Sequence, residues 1–248
     1  MHLARVETGT GPATPLLIAH GLFGSARNWG VIQKRLADRG RVVAVDMRNH
    51  AGSPWDDDNS YPAMASDLAA IADGWDIVGH SMGGKAAMVA ALTHPGRVRR
   101  LVVADIAPVA YGHTQMPLLR AMQALDLDGL TLRSEADRRL AASVEDPTTR
   151  AFLLQSLDVR QRRWRLNLPA LAANMELILG FPDLTGVFTG PVLFLSGGAS
   201  GYVLPEHRDR IRALFPNARF ARIRETGHWL HAEQPRAFEA SVRAFLDR

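Results

Sequence analysis

Short, almost continuous apolar runs alternate along the chain with longer segments in which apolar residues recur at helical spacing. The runs are rich in Val, Ile and Leu and cover residues 16–19, 42–45, 77–78, 101–104 and 192–195, with a weaker run at 219–223. Strands that are apolar at every position are typical of parallel sheets, because such sheets are buried on both faces. The pattern therefore predicts a mostly parallel sheet, to which residues 3–7 are expected to add an edge strand.

Five longer segments between these runs carry the helical period. They cover residues 29–38, 61–72, 82–93, 206–214 and 235–246. Helices that alternate with parallel strands act as crossover connections and pack on both faces of the sheet. The fold class predicted from this pattern is α/β, with a mostly parallel central sheet and helices on both of its faces.

One long interval interrupts the alternation of strands and helices. Residues 106–190 contain no convincing strand, but they contain four helical patterns, at 116–125, 135–143, 148–156 and 168–179. We interpret this interval as a helical lid, or cap, inserted before the penultimate strand and lying over the carboxyl edge of the sheet. The predicted organisation is thus a core formed by residues 1–105 and 191–248, with the lid at 106–190.

The predicted strand at 77–78 passes into the helix at 82–93 through a serine flanked by glycines. The sequence Gly79-His80-Ser81-Met82-Gly83 fits the pattern G-x-S-x-G. Between a strand and a helix, this pattern forms a tight turn that pushes the serine side chain out of the sheet, and glycines leave room for the turn. We interpret Ser81 as a catalytic nucleophile. The alternative is a serine that only caps the helix.

A serine that transfers acyl groups needs N–H donors for the oxyanion that develops on the substrate. The backbone N–H of Met82, at the start of the helix, is one expected donor. The second is expected in the loop HGLFGSARNW, residues 20–29, which follows the first apolar run. Leu22 is the better placed donor in that loop, and Phe23 is the reserve. A strand-to-helix turn without a catalytic part is the alternative.

The general base is expected near the end of the chain, because the usual order is serine, acid, histidine. Residues 225–235 read ETGHWLHAEQP and contain two histidines after the last predicted strand. We choose His228, which follows Gly227, as the base. His231 stands three residues further on, and a pair of solvent-exposed histidines is the alternative. His20, His50 and His80 are expected to brace turns.

Six segments together resemble the α/β-hydrolase superfamily. Within it, the chain is similar to the small bacterial esterases of the YbfF type and to their eukaryotic abhydrolase-domain relatives. The segments are HGLFGSARNW (20–29), VDMRNHAGSP (45–54), VGHSMGGKAAM (78–88), VVADIAPVAY (102–111), LFLSGG (193–198) and GHWLHAEQP (227–235). The resemblance implies the α/β-hydrolase fold and serine hydrolase activity. One departure is Ala51, where the pattern usually has glycine.

The acid of the superfamily usually follows the strand that corresponds to residues 192–195, in a G-x-x-D turn. Here residues 197–201 read GGASG and contain no carboxylate. Asp105, at the end of the preceding strand, is our choice, because related hydrolases take their acid from that strand and because its carboxylate would lie at the same sheet edge as Ser81. Glu206, at the start of a helix, and Asp183, in a Pro-Asp turn, are the alternatives.

Composition and charge exclude several classes of protein. The formal net charge is +4, but the basic residues are dispersed rather than gathered on one face, which argues against nucleic-acid binding. The densest cluster, residues 160–165, is interpreted as a solvated helix face; attraction of an acidic leaving group such as coenzyme A is the weaker alternative. The absence of cysteine excludes disulfides and thiolate metal sites, and no histidine spacing suggests another metal site.

No apolar run reaches the length of a membrane span, and the first residues lack an apolar signal region. We therefore expect a cytoplasmic protein without a membrane partner and without a cofactor. The oligomeric state stays open.

The function predicted from these features is a serine hydrolase with a Ser81-His228-Asp105 triad. It is expected to cleave carboxylic esters or thioesters of small to medium acyl chains through an acyl-enzyme. Apolar residues of the lid are candidates for the acyl pocket or, alternatively, for packing within the lid: Leu118, Met122, Trp164 and Leu171. Two other functions stay open, namely a C–C bond hydrolase or lyase that uses the same triad, and a non-catalytic ligand-binding protein of hydrolase ancestry.

Overall fold

The computed structural model describes residues 1–247, which contain eight strands. They are β1 (Arg5–Ala19), β2 (Gly40–Val45), β3 (Trp75–His80), β4 (Val98–Ala104), β5 (Leu157–Asp158), β6 (Arg163–Trp164), β7 (Val192–Gly197) and β8 (Ala218–Ile223). Six of them form one sheet in the order β2-β1-β3-β4-β7-β8, and β5 and β6 form a separate hairpin. All six predicted apolar runs lie in the large sheet.

The large sheet is mostly parallel, as its apolar runs predict, but β1 pairs with β2 in two directions. Residues 16–19 of β1 pair with residues 42–45 in rising order on both strands, which is parallel pairing. Residues 5–8 of β1 also pair with residues 42–45 of β2, but in the opposite order, from Arg5 with Val45 to Thr8 with Val42. That order is antiparallel. The predicted edge strand at 3–7 is therefore the first part of β1, and it makes the sheet mixed.

The helices lie along the chain between these strands. They are α1 (Gly30–Leu36), α2 (Tyr61–Ala69), α3 (Met82–Thr93), α4 (Met116–Ala124), α5 (Arg133–Leu140), α6 (Pro147–Leu153), α7 (Leu168–Ala173), α8 (Met175–Leu179), α9 (Arg208–Leu214), α10 (Leu230–Glu233) and α11 (Pro235–Leu246). Side chains of α1 and α11 pack in one apolar layer of the sheet, and those of α2 and α3 pack in the other. Helices thus cover both faces, which confirms the predicted α/β architecture.

The segment between β4 and β7 contains α4 to α8 and the β5–β6 hairpin, and it corresponds to the proposed lid. The helix predicted over 168–179 is divided into α7 and α8. Asn174 lies at the junction, where its side-chain amide donates to the carbonyl of Ala170 at 2.9 Å and to that of Asp57 at 2.8 Å. An asparagine side chain that binds nearby backbone competes with helical hydrogen bonds, which accounts for the break.

The interpretation of residues 160–165 as a helix face is wrong. This basic cluster lies in the turn and second strand of the β5–β6 hairpin. The Asp158 carboxylate accepts the N–H of Gln161 at 3.0 Å, and Arg162 has a φ of 52°. Both features favour a turn over a helix.

None of the helices in residues 1–247 combines the length and the apolar character that crossing a membrane requires. The cytoplasmic location stays a prediction.

Candidate active site

Ser81 lies at a strained turn between β3 and α3. Its φ of 51° and ψ of −121° fall outside the regions that residues with a side chain usually adopt. The turn is fixed by two backbone bonds, from Ser81 N–H to the carbonyl of Ala104 at 3.1 Å and from Lys85 N–H to the carbonyl of Ser81 at 3.0 Å. The backbone therefore holds the serine side chain at the carboxyl edge of the sheet.

The two glycines of the motif are required by close backbone contacts. A Cβ on Gly79 would lie 2.4 Å from the carbonyl oxygen of Gly83. A Cβ on Gly83 would lie 2.4 Å from the carbonyl oxygen of Ala19 at the end of β1. Both distances are shorter than a carbon and an oxygen tolerate, so neither position accepts a side chain. The packing of α3 against the sheet explains why the serine is flanked by glycines.

The backbone N–H groups of Leu22 and Met82 line the same cavity as Ser81, and neither has a hydrogen-bond partner within residues 1–247. The N–H of Phe23, the reserve donor, is already donated to Nε2 of His50 at 3.2 Å. His50 in turn has its Nδ1 at 2.7 Å from the carbonyl of Arg48. The geometry thus favours Leu22 over Phe23 as the second oxyanion donor.

Asp105 and His228 come together although 123 positions separate them in the chain. Oδ2 of the carboxylate lies 2.8 Å from Nδ1 of the imidazole ring. The Asp105 side chain is fully buried, and its Oδ1 also accepts the N–H of Gly197 at 2.9 Å. Because the carboxylate binds Nδ1, Nδ1 carries a proton and Nε2 can accept one.

Ser200 occupies the turn in which the superfamily usually carries the acid. Its hydroxyl donates to Oδ2 of Asp105. The turn after β7 therefore supplies two donors to the carboxylate, the N–H of Gly197 and the hydroxyl of Ser200, in place of a carboxylate of its own. Hydrogen bonds to the charged form stabilise a buried carboxylate.

The two alternative acids lie elsewhere. The Asp183 side chain is 98% exposed, and its nearest cation is Arg210 at 4.0 Å. Glu206 is exposed in a short 3₁₀ turn before α9. Within residues 1–247 neither carboxylate is hydrogen-bonded to His228, so Asp105 is the acid that the geometry favours.

Three neighbours hold the His228 ring and its loop. The Tyr202 ring stacks on the imidazole with centroids 3.9 Å apart and planes at 20°. Nε2 of His80 lies 2.8 Å from the carbonyl of His228, and the N–H of Gly227 donates to Glu233 at 2.7 Å. Sequence reasoning identified His80 only as a turn residue, and it did not identify Tyr202, because the contact forms only when two distant loops meet.

The other histidines near the site are held in the neutral form. Burial lowers the pKa of His20 to about 4 and the pKa of His50 and His231 to about 3. His231 lies in α10, where its ring stacks on Trp29 at a centroid distance of 4.2 Å. It makes no hydrogen bond to a carboxylate within residues 1–247. The geometry therefore favours His228 over His231 as the base.

One cavity joins these groups beneath the helices between β4 and β7. Ser81, His228, Leu22 and Met82 line it, and its space, including the open mouth, is about 860 Å³. No hydrogen bond joins Ser81 and His228 in residues 1–247, although both line the cavity. Catalytic hydrogen bonds are often absent before substrate binds.

The helical segment contributes one wall of the cavity. Its contributing side chains include Leu118, Phe152, Ile178 and Leu179. Of the four apolar residues considered for the acyl pocket, only Leu118 reaches the cavity. Met122, Trp164 and Leu171 are buried in the apolar core, and the indole N–H of Trp164 donates to the carbonyl of Met122 at 2.8 Å. These three residues pack within the helical segment.

Comparison with known proteins places this site in a family. A model described as "Alpha/beta hydrolase family" matches residues 16–241. The sn-1-specific diacylglycerol lipase ABHD11 of Mus musculus is 41% identical over 246 residues, which cover 93% of this chain and 80% of that protein. Esterase YbfF of Escherichia coli (strain K12) is 37% identical over 241 residues, covering 94% of this chain and 93% of the esterase.

A solved structure is similar over nearly the whole chain. The structure titled "Marine microorganism esterase" has a TM-score of 0.93 and 34% sequence identity, and the match covers 98% of this chain and 99% of that one. These comparisons confirm the α/β-hydrolase fold and the resemblance to YbfF-type esterases. The chain belongs to the alpha/beta hydrolase family and is a carboxylesterase-type hydrolase.

Proposed function

We propose that the protein hydrolyses carboxylic esters, or thioesters, of small to medium acyl chains through a covalent acyl-enzyme on Ser81. The observation that carries the proposal is the 2.8 Å contact between Asp105 Oδ2 and His228 Nδ1, at the edge of the cavity that also exposes Ser81. A buried carboxylate that orients a histidine beside a serine at a strained turn is the arrangement of a Ser-His-Asp triad.

The first half of the proposed reaction transfers the acyl group to the enzyme. Nε2 of His228 accepts the hydroxyl proton while Oγ of Ser81 bonds to the carbonyl carbon, and the electron pair of the carbonyl double bond moves to its oxygen. The N–H groups of Leu22 and Met82 donate to that oxyanion. When the intermediate collapses, the bond to the leaving oxygen or sulfur breaks, and the leaving group takes the proton from His228.

The second half returns the enzyme to its starting state. His228 accepts a proton from water, whose oxygen bonds to the acyl carbon of the acyl-enzyme. The ester bond to Ser81 then breaks, Oγ recovers the proton, and the carboxylic acid leaves. Throughout, the carboxylate of Asp105 holds the His228 ring and stabilises its charged form.

The same geometry weighs against a non-catalytic binding protein. The sequence feature that favoured such a protein is the missing carboxylate at residues 197–201. In the structure, Asp105 supplies a carboxylate to His228 from β4, and the turn at 197–201 donates two hydrogen bonds to it. A protein that had lost catalysis would have no need of this arrangement.

Hydrolysis of p-nitrophenyl esters from acetate to decanoate tests the proposed function. We expect turnover with an optimum at a short or medium acyl chain, because side chains of the helical segment, among them Leu118 and Phe152, close one wall of the cavity. The matched acyl thioesters, assayed by release of the thiol, show whether oxygen or sulfur is the preferred leaving atom. Cleavage of a vinylogous diketone without turnover of any ester would reject the proposal in favour of a C–C bond hydrolase.

A further inference from the structure

Lys85 is a buried cation that the proposed reaction does not use. It lies in the first turns of α3, four residues after Ser81, which directly precedes the helix. The side chain lines the catalytic cavity and is only 1% exposed. No carboxylate forms an ion pair with it within residues 1–247. Lysine is rarely buried without a counter-ion, so its other contacts must hold it there.

Those contacts are carbonyl oxygens at the end of α8. The ammonium group donates to the carbonyl of Leu179 at 2.8 Å and to that of Gly180 at 2.6 Å. The hydroxyl of Tyr61, on α2, donates to the preceding carbonyl, that of Ile178, at 2.6 Å. The last carbonyls of a helix have no partner within the helix itself. Here two side chains of the core, Tyr61 and Lys85, donate to three consecutive carbonyls of the helical segment, and the carbonyl of Leu179 also accepts the backbone N–H of Tyr111 at 3.1 Å.

Aromatic rings surround the ammonium group on its other sides. Nζ lies 4.8 Å from the centroid of the Tyr111 ring and 5.7 Å from that of Tyr61. Ring faces attract a cation, and this attraction strengthens when water is excluded. Burial lowers the pKa of Lys85 to about 7. The carbonyl oxygens and the ring faces thus stabilise the charged form of the Lys85 ammonium group, which burial would otherwise disfavour.

The carbonyls that Lys85 binds belong to residues that shape the cavity. Ile178 and Leu179 both line it, and Tyr61 and Tyr111 line it beside them. Ile178 and Leu179 belong to the segment between β4 and β7, whereas Ser81 directly precedes α3. Lys85 therefore links α3, the helix that follows the nucleophile, to the part of the cavity wall that Leu179 forms.

We propose that Lys85 is a specificity-determining residue that fixes the wall formed by Ile178 and Leu179 and so limits the length of the substrate chain lying against it. This inference rests on the proposed esterase function. Without the ammonium group, the carbonyl of Gly180 loses its donor and that of Leu179 keeps only the N–H of Tyr111, so the wall can move outward to reach water. A wall that moves outward admits longer chains and holds short ones less well.

Lys85→Met, which keeps the length of the side chain but removes its charge and donors, tests the inference. The measurement is kcat/KM for p-nitrophenyl butyrate and octanoate, and for ethyl and hexyl butyrate, so that the acyl and the alcohol chain are each varied. In one of the two series we expect the ratio of kcat/KM for the long substrate to kcat/KM for the short substrate to rise about tenfold. This is about the factor expected when two more methylene groups of the substrate are buried. A purely structural role would lower both rates together and leave each ratio unchanged.

Two further variants complete the experiment. Tyr61→Phe removes one neutral hydrogen bond from the same wall, so we expect a smaller shift of the ratio in the same direction; it decides the question if Lys85→Met does not fold. Leu177→Ala changes a side chain of α8 that is 53% exposed, and it should leave both ratios unchanged. If the wild type is active and both ratios are unchanged in Lys85→Met, the inference is overturned. If Lys85→Met does not fold, unchanged ratios in Tyr61→Phe overturn it. An inactive wild type would instead reject the proposed function.

Discussion

Asp105→Asn is expected to lower kcat for p-nitrophenyl butyrate by about 10⁴-fold, with a much smaller change in KM. The amide has nearly the shape of the carboxylate, so the N–H of Gly197 keeps an oxygen to bind, and the hydroxyl of Ser200 can accept from the amide nitrogen instead of donating. The charge that stabilises protonated His228 is lost, however, and an amide N–H directed at Nδ1 would favour the wrong tautomer of the ring. Steady-state kinetics at neutral pH measure the effect.

The two other carboxylates considered from the sequence supply the controls. Glu206→Gln and Asp183→Asn each remove an exposed charge that is not hydrogen-bonded to His228, so turnover should stay within about twofold of the wild type. Thermal unfolding of all three variants separates a catalytic loss from a loss of folding. Near-normal turnover in Asp105→Asn, together with a large loss in either control, would reject Asp105 as the acid.

Replacing His228 with alanine should reduce kcat by about 10⁶-fold, because removal of the base from a triad costs about as much as removal of the whole triad. His231→Ala is the matched control, since it removes a histidine three positions away. That ring is neutral, stacks on Trp29 and makes no hydrogen bond to Asp105. Loss of the stacked ring should lower stability by about 1 to 3 kcal/mol while most of the activity remains.

Comparison of the two histidine variants must be made below the melting temperature of the less stable one. A circular dichroism melt of each variant gives that temperature. If folded His231→Ala lost its activity while His228→Ala kept most of it, the base role would pass to His231, and the contact between Asp105 and His228 would have to be structural.

The nucleophile and the sheet could be predicted from the sequence because their signals are local. Ser81 stands in a five-residue motif in which a Cβ on either glycine would lie 2.4 Å from a backbone oxygen. Strands that are buried on both faces are apolar at nearly every position, which the sequence shows directly. Asp105 was harder to predict, since its role depends on which strand lies beside β7. The choice rested on the resemblance and on the position of Asp105 at the end of a strand.

Other features of the site have no local signal. Ser200 binds Asp105 across 95 positions, and Lys85 binds Gly180 across 95 positions. In the sequence, Lys85 is one polar residue in an apolar helix, and Ser200 is one more small residue in a glycine-rich turn. The basic cluster at 160–165 was interpreted as a solvated helix face from its charge alone, whereas the carboxylate of Asp158 accepts the N–H of Gln161 and closes a turn there.

In the proposed mechanism, Ser81 forms a covalent bond with the acyl group of the substrate. Treating the protein with a fluorophosphonate ester, which phosphonylates activated serines with loss of fluoride, tests it most directly when the modified peptide is located by mass spectrometry. We expect one adduct per chain, on Ser81, formed in step with the loss of esterase activity and absent from Ser81→Ala. An adduct on another serine, or full esterase activity in Ser81→Ala, would contradict this account.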